Sequence, residues 1–206
     1  FEFLYGMGML AFEENDAEYI VLETGLGGTY DSTNACGVPD VTVIAKIGFD
    51  HMAILGDTLA KIAAEKAGII KHGTALVLES QEKEAMDVLN KAAECADIKT
   101  TKVVNLDEIR ILPQKDGKQC FSYAGYDAVT MKMLGVHQYE NAVAAMLAAE
   151  LFFEKYFAGK KNVPERKALQ HAIREGIDRT QWMGRMELVS NDPFFLMDGA
   201  HNSNGV

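Results

Sequence analysis

The 206-residue sequence carries 30 acidic and 20 basic side chains, a formal net charge of −10, with 48% apolar and 24% charged residues. That balance excludes a disordered chain, and acidity with no basic stripe beyond Lys160-Lys161 argues against a nucleic-acid partner. Three scattered cysteines, Cys36, Cys95 and Cys120, read as reduced thiols of a cytoplasmic protein, and the longest apolar run, residues 142–153, is broken by Glu150 and too short for a membrane span.

In chain order, residues 17–23 (AEYIVLE) form a short β-branched run that ends at a cluster of glycines, which predicts a buried strand feeding a loop. Residues 41–47 (VTVIAKI), stopped by Gly48, and residues 74–79 (TALVLE) predict two more strands. Between them, residues 57–68 (DTLAKIAAEKAG) predict a helix with Asp57 as N-cap and Gly68 just past its end. A further helix is predicted over 81–96. Strands alternating with helices imply an α/β fold, a mostly parallel sheet flanked by helices. Residues 102–133 break the alternation. KDGK (115–118) is a hairpin turn between β-rich runs, so an antiparallel extension is expected. An alanine-rich helix over 139–157, another over 164–177 with Pro164 in its first turn, and short strands at 186–189 and 193–197 follow. A boundary near Trp182-Met183-Gly184 divides the chain into domains 1–183 and 184–206.

Ligands of parallel α/β sheets sit outside the carboxyl ends of the strands, and several polar clusters fall there. ETGLGG (23–28) followed by DSTN (31–34) aims the Glu23 carboxylate at the crevice, with glycines that let backbone approach a ligand; a tight turn and a polar loop need the same residues. Asp50 and His51 end the second predicted strand, as a hard-cation or phosphate site or as a solvated pair. Leu59, Ile62, Ala63 and Lys66 recur at i, i+3, i+4 and i+7, so Lys66 shares the apolar face, while Lys61 and Glu65 pair elsewhere. An ammonium on that face must be paired, have a depressed pKa, be modified, or snorkel to water. A neutral lysine can take up carbon dioxide as a carbamate and become an anionic ligand. Asp198 and His201 end the last predicted strand, with Gly184-Arg185 before it. His137, Gln138 and Asn141 open the alanine-rich helix, suited to a base edge or phosphate or to plain capping.

Together ETGLGGTYDSTN (23–34), IGFDHMAILGDTLAKIAAEKAGIIK (47–71), LGVHQYENA (134–142), WMGRMEL (182–188) and DGAHN (198–202) resemble the folylpolyglutamate synthase / dihydrofolate synthase family of the Mur ligase superfamily. The five motifs occur in order along nearly the whole chain. The glycine loop followed by DH and EKAGI looks like the folate branch, although Thr29 stands where that family usually has a basic residue. The resemblance implies a P-loop NTPase-like central domain and the start of a Rossmann-like C-terminal domain. It implies an ADP-forming amide ligase: ATP phosphorylates a carboxylate of dihydropteroate or of a folate's glutamyl tail, and the amine of L-glutamate then displaces phosphate.

Residue by residue, the resemblance implies magnesium ligands at Glu23 and His51 and a carbamylated catalytic lysine at Lys66. It implies ATP contacts at Asn141, Arg185, Asp198 and His201, and substrate contacts at Asp31, Ser32 and the aromatic Phe1. Small molecules are the implied partners of a monomer. The 206 residues contain no G-x-x-x-x-G-K-[ST]. The chain is therefore expected to be an internal piece of a longer enzyme, inactive towards ATP alone. A ligand-binding remnant, another Mur-type ligase and a carbamate-dependent metallohydrolase stand as alternatives.

Overall fold

Strands β1 (Val41–Ile44), β2 (Ala75–Leu78) and β3 (Thr101–Val103) form a parallel sheet in that order in the computed structural model, which describes residues 1–200. Strand β2 is buried along its whole length because both faces are covered. Ala75 and Val77 join one apolar cluster, and Leu76 and Leu78 join another, as a period of two dictates. The first cluster is filled by helix α5 (His137–Phe157), which lies against β1 and β2. The second is filled by α3 (Leu59–Ala67) and α4 (Lys83–Cys95), which pack on each other.

The carboxyl end of this sheet is laced by side chains. Backbone pairing of β1 stops at Ile44, three residues before the predicted end, because side chains from the segment after β2 take over. The Glu79 Oε2 accepts the Lys46 N–H at 2.6 Å, and Gln81 Oε1 accepts the Ile47 N–H at 2.8 Å. Ser80 N–H donates to Glu140 Oε1 in the first turn of α5 at 2.7 Å, tying that helix start to the same end.

Residues 101–133 divide between two sheets. Strand β3 is the parallel edge, whereas β4 (Arg110–Lys115), β5 (Lys118–Tyr123) and β6 (Tyr126–Met131) form a separate antiparallel sheet, not an extension of the first. The predicted turn is there, with Asp116 at φ 52° and Gly117 at φ 74°, the two left-handed residues a tight hairpin needs. Phe121, Val129 and Met131 bury against α5 and against Ile173 of α6 (Arg166–Arg179). The Lys118 ammonium and the Thr130 hydroxyl both bind Asp178 of α6. A hairpin of β7 (Glu187–Asn191) and β8 (Phe194–Met197) follows.

The strand predicted over 17–23 does not form. A strand exists only where a neighbour accepts and donates its ladder bonds, and these residues enter no sheet; Val21 is 95% exposed. Tyr19 instead meets Phe152 and Tyr156 of α5 edge-on, at ring distances of 5.6 and 5.8 Å. An unpredicted helix, α1 (Glu2–Glu14), precedes it. Its apolar residues spread all round and none is buried, so no stripe announces it. Within α3 the N-cap is Thr58, whose hydroxyl accepts the Lys61 N–H, and not Asp57, which pairs with Lys61 Nζ at 2.7 Å. The expected Lys61–Glu65 pair is thereby displaced.

Candidate active site

The segment after Glu23 is a compact loop built around one carboxylate. Asp31 Oδ2 accepts the N–H groups of Gly25 and Leu26, both at 3.0 Å, and Oδ1 accepts the Thr33 N–H and hydroxyl at 3.0 and 2.5 Å. A carboxylate has about four acceptor positions, and these four bonds fill them. Burial pushes the Asp31 carboxyl up, but the Thr33 hydroxyl and the three amides outweigh it and hold the group below the usual carboxylate range. Asp31 therefore shapes the loop in which it and Ser32 sit. Ser32 is half-buried as the first residue of the 3-10 turn Ser32–Ala35 that Asp31 caps, and α1 lies against this turn. Phe1, at the start of α1, is 95% exposed.

The loop rests on the last turn of α3. Thr29 donates to the Glu65 carbonyl through both its N–H (2.9 Å) and its hydroxyl (3.1 Å), so this residue is a tether. A Cβ on Gly28 would stand 2.6 Å from the Glu65 oxygen and 2.9 Å from the Lys66 oxygen. Gly68 is required for the same reason: its φ is −59°, an ordinary helical value, and a side chain there would collide with Thr29. Because the obstacles at Gly28 are backbone atoms, Gly28→Ala should lower stability by about 1–3 kcal/mol. The urea midpoint checks this; an unchanged midpoint would mean that loop and helix do not touch in solution.

The second element is the turn after β1. His51 adopts φ 47° and ψ 36°, a left-handed conformation uncommon for a residue with a side chain. The turn is held by the His51 N–H to Asp50 Oδ1 at 2.8 Å, with the ring Nε2 3.7 Å from Asp50 Oδ2. His51 opens the short helix α2 (Met52–Leu55). Gly27, at φ +66°, fits against Leu55 of α2 and Glu65 of α3. The third element is Lys66, half-buried on the stripe with Ile62 and Ala63. Burial pushes its ammonium below the ordinary lysine range, and the Asp50 carboxylate opposes that only in part.

The glycine loop, the Asp50-His51 turn and the Lys66 helix end thus meet in one place. Glu23 itself is exposed and forms no hydrogen bond or ion pair among the described residues. Among those residues no three His, Cys, Asp or Glu side chains are close enough to hold a metal between them. The donors at this meeting point are the Asp50 carboxylate and the His51 imidazole. Such a sparse set fits magnesium, which keeps several waters and takes one or two carboxylates beside substrate phosphates; a closed zinc cage needs four protein ligands.

A second polar group gathers at the start of α5. Asn141 Nδ2 donates to Gln138 Oε1 at 3.0 Å, and the Gln138 amide lies 3.1 Å from His137 Nε2. Gly135 sits under the His137 ring and Met186 Sδ, so the hairpin of β7 and β8 reaches this helix start. Asp198 accepts the N–H groups of Ala200 and Met186, both at 2.6 Å. These two amides, with Arg185 and His137 nearby, hold its carboxyl below the usual range. Arg185, Asp198 and Asn141 are all exposed there, and His201 lies outside the described residues. Two groups at the site escaped the sequence reading: Glu79, seen only as the last residue of a strand, and Lys71, seen only within a motif. Their partners lie 33–37 residues away, too far for any local pattern to reveal.

Residues 7–149 match the Mur ligase middle domain. The chain is 38% identical to the dihydrofolate synthase/folylpolyglutamate synthase of Bacillus subtilis (strain 168), covering 100% of this chain and 47% of that protein. Its fold superposes on an FPGS–AMPPCP–folate complex with a TM-score of 0.82 at 26% identity, covering 95% of this chain and 46% of the other. It superposes on folylpolyglutamate synthase of Mycobacterium tuberculosis, complexed with ADP and AMPPCP, with a TM-score of 0.80 at 30% identity; that match covers 98% and 45% of the two chains. The chain thus spans about half the length of these relatives. Among the described residues no helix is long and apolar enough to cross a membrane.

Proposed function

The chain belongs to the Mur ligase family through its middle domain, and from that premise we propose that it is the catalytic centre of an ADP-forming amide ligase. The reaction joins L-glutamate to dihydropteroate, to a folate's glutamyl tail, or to both. An acceptor carboxylate oxygen attacks the γ-phosphorus of ATP, ADP leaves, and an acyl phosphate forms. The glutamate amine then attacks the acyl carbon, loses a proton, and expels phosphate as the amide bond closes. A carboxylate is a poor electrophile, and phosphorylation supplies its leaving group.

The observation that carries this reading is the meeting of a glycine loop, the Asp-His turn that follows β1 and a desolvated lysine on α3. Magnesium, held by Glu23 and His51, would offset the charge between the γ-phosphate and the acceptor carboxylate. The protein's own part is positioning: the loop fixes Glu23's neighbourhood, Asp50 orients His51, and Lys66 faces the same space as a carbamate. Asn141, Arg185 and Asp198, with His201, take the nucleotide, and Asp31, Ser32 and Phe1 belong to the pterin side. The hairpin of β7 and β8 begins the second domain. The protein works as a monomer in the cytosol, with small molecules as its partners.

The test uses the full-length natural protein with magnesium, ATP, labelled glutamate, and dihydropteroate or a reduced folate whose acceptor carboxylate carries heavy oxygen. The expected result is labelled amide, with ADP formed one for one and heavy oxygen appearing in the released phosphate. Amide formation with AMP as product, or ATP hydrolysis that ignores both substrates, overturns the proposal.

A further inference from the structure

The loop of residues 25–37 is braced internally by Asp31, yet it must also be held in register with Lys66. The hydrogen bonds that tie it outwards run to one short stretch at the end of α3. Thr29 binds the Glu65 carbonyl, and the Asn34 side-chain amide binds the Gly68 carbonyl at 3.1 Å. The third tie is Lys71, whose Nζ stands 2.7 Å from the Asn34 oxygen, 2.7 Å from the Cys36 oxygen and 3.2 Å from the Gly37 oxygen. An ammonium has three donors and no acceptor, so these carbonyls use its whole capacity. Asn34 lies in the 3-10 turn Ser32–Ala35, Cys36 caps it, and Gly37 follows. Charge-assisted bonds are stronger than the neutral ones that Thr29 and Asn34 make.

We propose that Lys71 is a positioning residue: by gathering the carbonyls of Asn34, Cys36 and Gly37 it sets the glycine loop against the helix that carries Lys66. Lys71 touches no reacting atom. It acts through the loop, on the reading of the site as a ligase centre given above. If the loop drifts, the acceptor and the cation lose their place while the phosphoryl chemistry, once assembled, is unchanged. The burden therefore falls on KM more than on kcat.

The experiment compares Lys71→Met, Lys71→Gln and Lys71→Arg in the full-length protein. Amide hydrogen exchange across residues 24–37 is expected to quicken about tenfold in Lys71→Met, less in Lys71→Gln, and least in Lys71→Arg, which keeps the charge and several donors. KM for the acceptor and the magnesium concentration for half-activation should rise about tenfold in Lys71→Met, with kcat within about threefold, and Lys71→Arg should recover most of the loss. If Lys71→Met does not fold, Lys71→Gln carries the same comparison at smaller size. Unchanged loop exchange in the folded variants overturns the proposal, as does a fall in kcat at constant KM that tracks lost stability. Exchange reads the tether without turnover, so a wild-type protein that forms no amide would sink the ligase reading and leave the tether to be judged by its own result.

Discussion

Lys66→Ala should cost the full-length enzyme on the order of 10–100-fold in amide-forming activity, and added short carboxylates such as acetate should restore part of it. Helix α3 decides where the amine sits. Lys66 shares its stripe with Ile62 and Ala63, which are 1% and 0% exposed, and burial is the largest influence on its ammonium, depressing its pKa. A depressed pKa leaves more of the amine neutral at neutral pH. Asp50 is too weak a counter-charge to reverse that. On the proposed carbamate reading the neutral nitrogen would add to carbon dioxide, forming an N–C bond and giving a proton to solvent, and a cation would become an anion near Asp50. Alanine removes that anion and leaves a gap which a small carboxylate can enter. Wild-type activity should also fall when dissolved carbon dioxide is stripped and return with bicarbonate. Full activity of Lys66→Ala, or a loss that neither carboxylate nor bicarbonate affects, would dispose of the carbamate.

Glu79→Gln should make the protein more stable at pH 8 and leave it nearly unchanged at pH 5. Glu79 is 2% exposed. Burial drives its carboxyl up from an ordinary value near 4.5 to about 7; the Lys46 N–H lowers it, the neighbouring Glu140 carboxylate raises it further, and the Lys46 ammonium lowers it. The folded state therefore holds a proton that the unfolded chain has already lost. Between pH 4.5 and about 7 the native state binds more protons, so unfolding free energy falls as pH rises and levels off above that range. The full penalty is about 3 kcal/mol as an upper bound. Glutamine keeps an acceptor for the Lys46 N–H and cannot ionise. Calorimetric Tm should be higher than wild type by about 4–10 °C at pH 8 and within about 2 °C at pH 5. Equal differences at the two pH values would show that Glu79 is not protonated in the native protein.

The sequence by itself determined whatever depends on neighbours along the chain. The apolar run that became β2, the stripe of α3, the two left-handed residues of KDGK and the long alanine-rich helix each follow from spacing and backbone preference within a dozen residues. The motifs that gave the family were equally local. Tertiary structure decided everything that needs a distant partner. Residues 17–23 have the composition of a strand, but no neighbour supplies their ladder. Asp31 has the look of a ligand group, and the four donors around it also make it the brace of its loop. Gly68 sits where a helix cap belongs, yet it is small because Thr29 arrives from 39 positions earlier. Glu79 and Lys71 carry no local signature, since a carboxylate's proton and an ammonium's grip are both set by which backbone the fold folds over them.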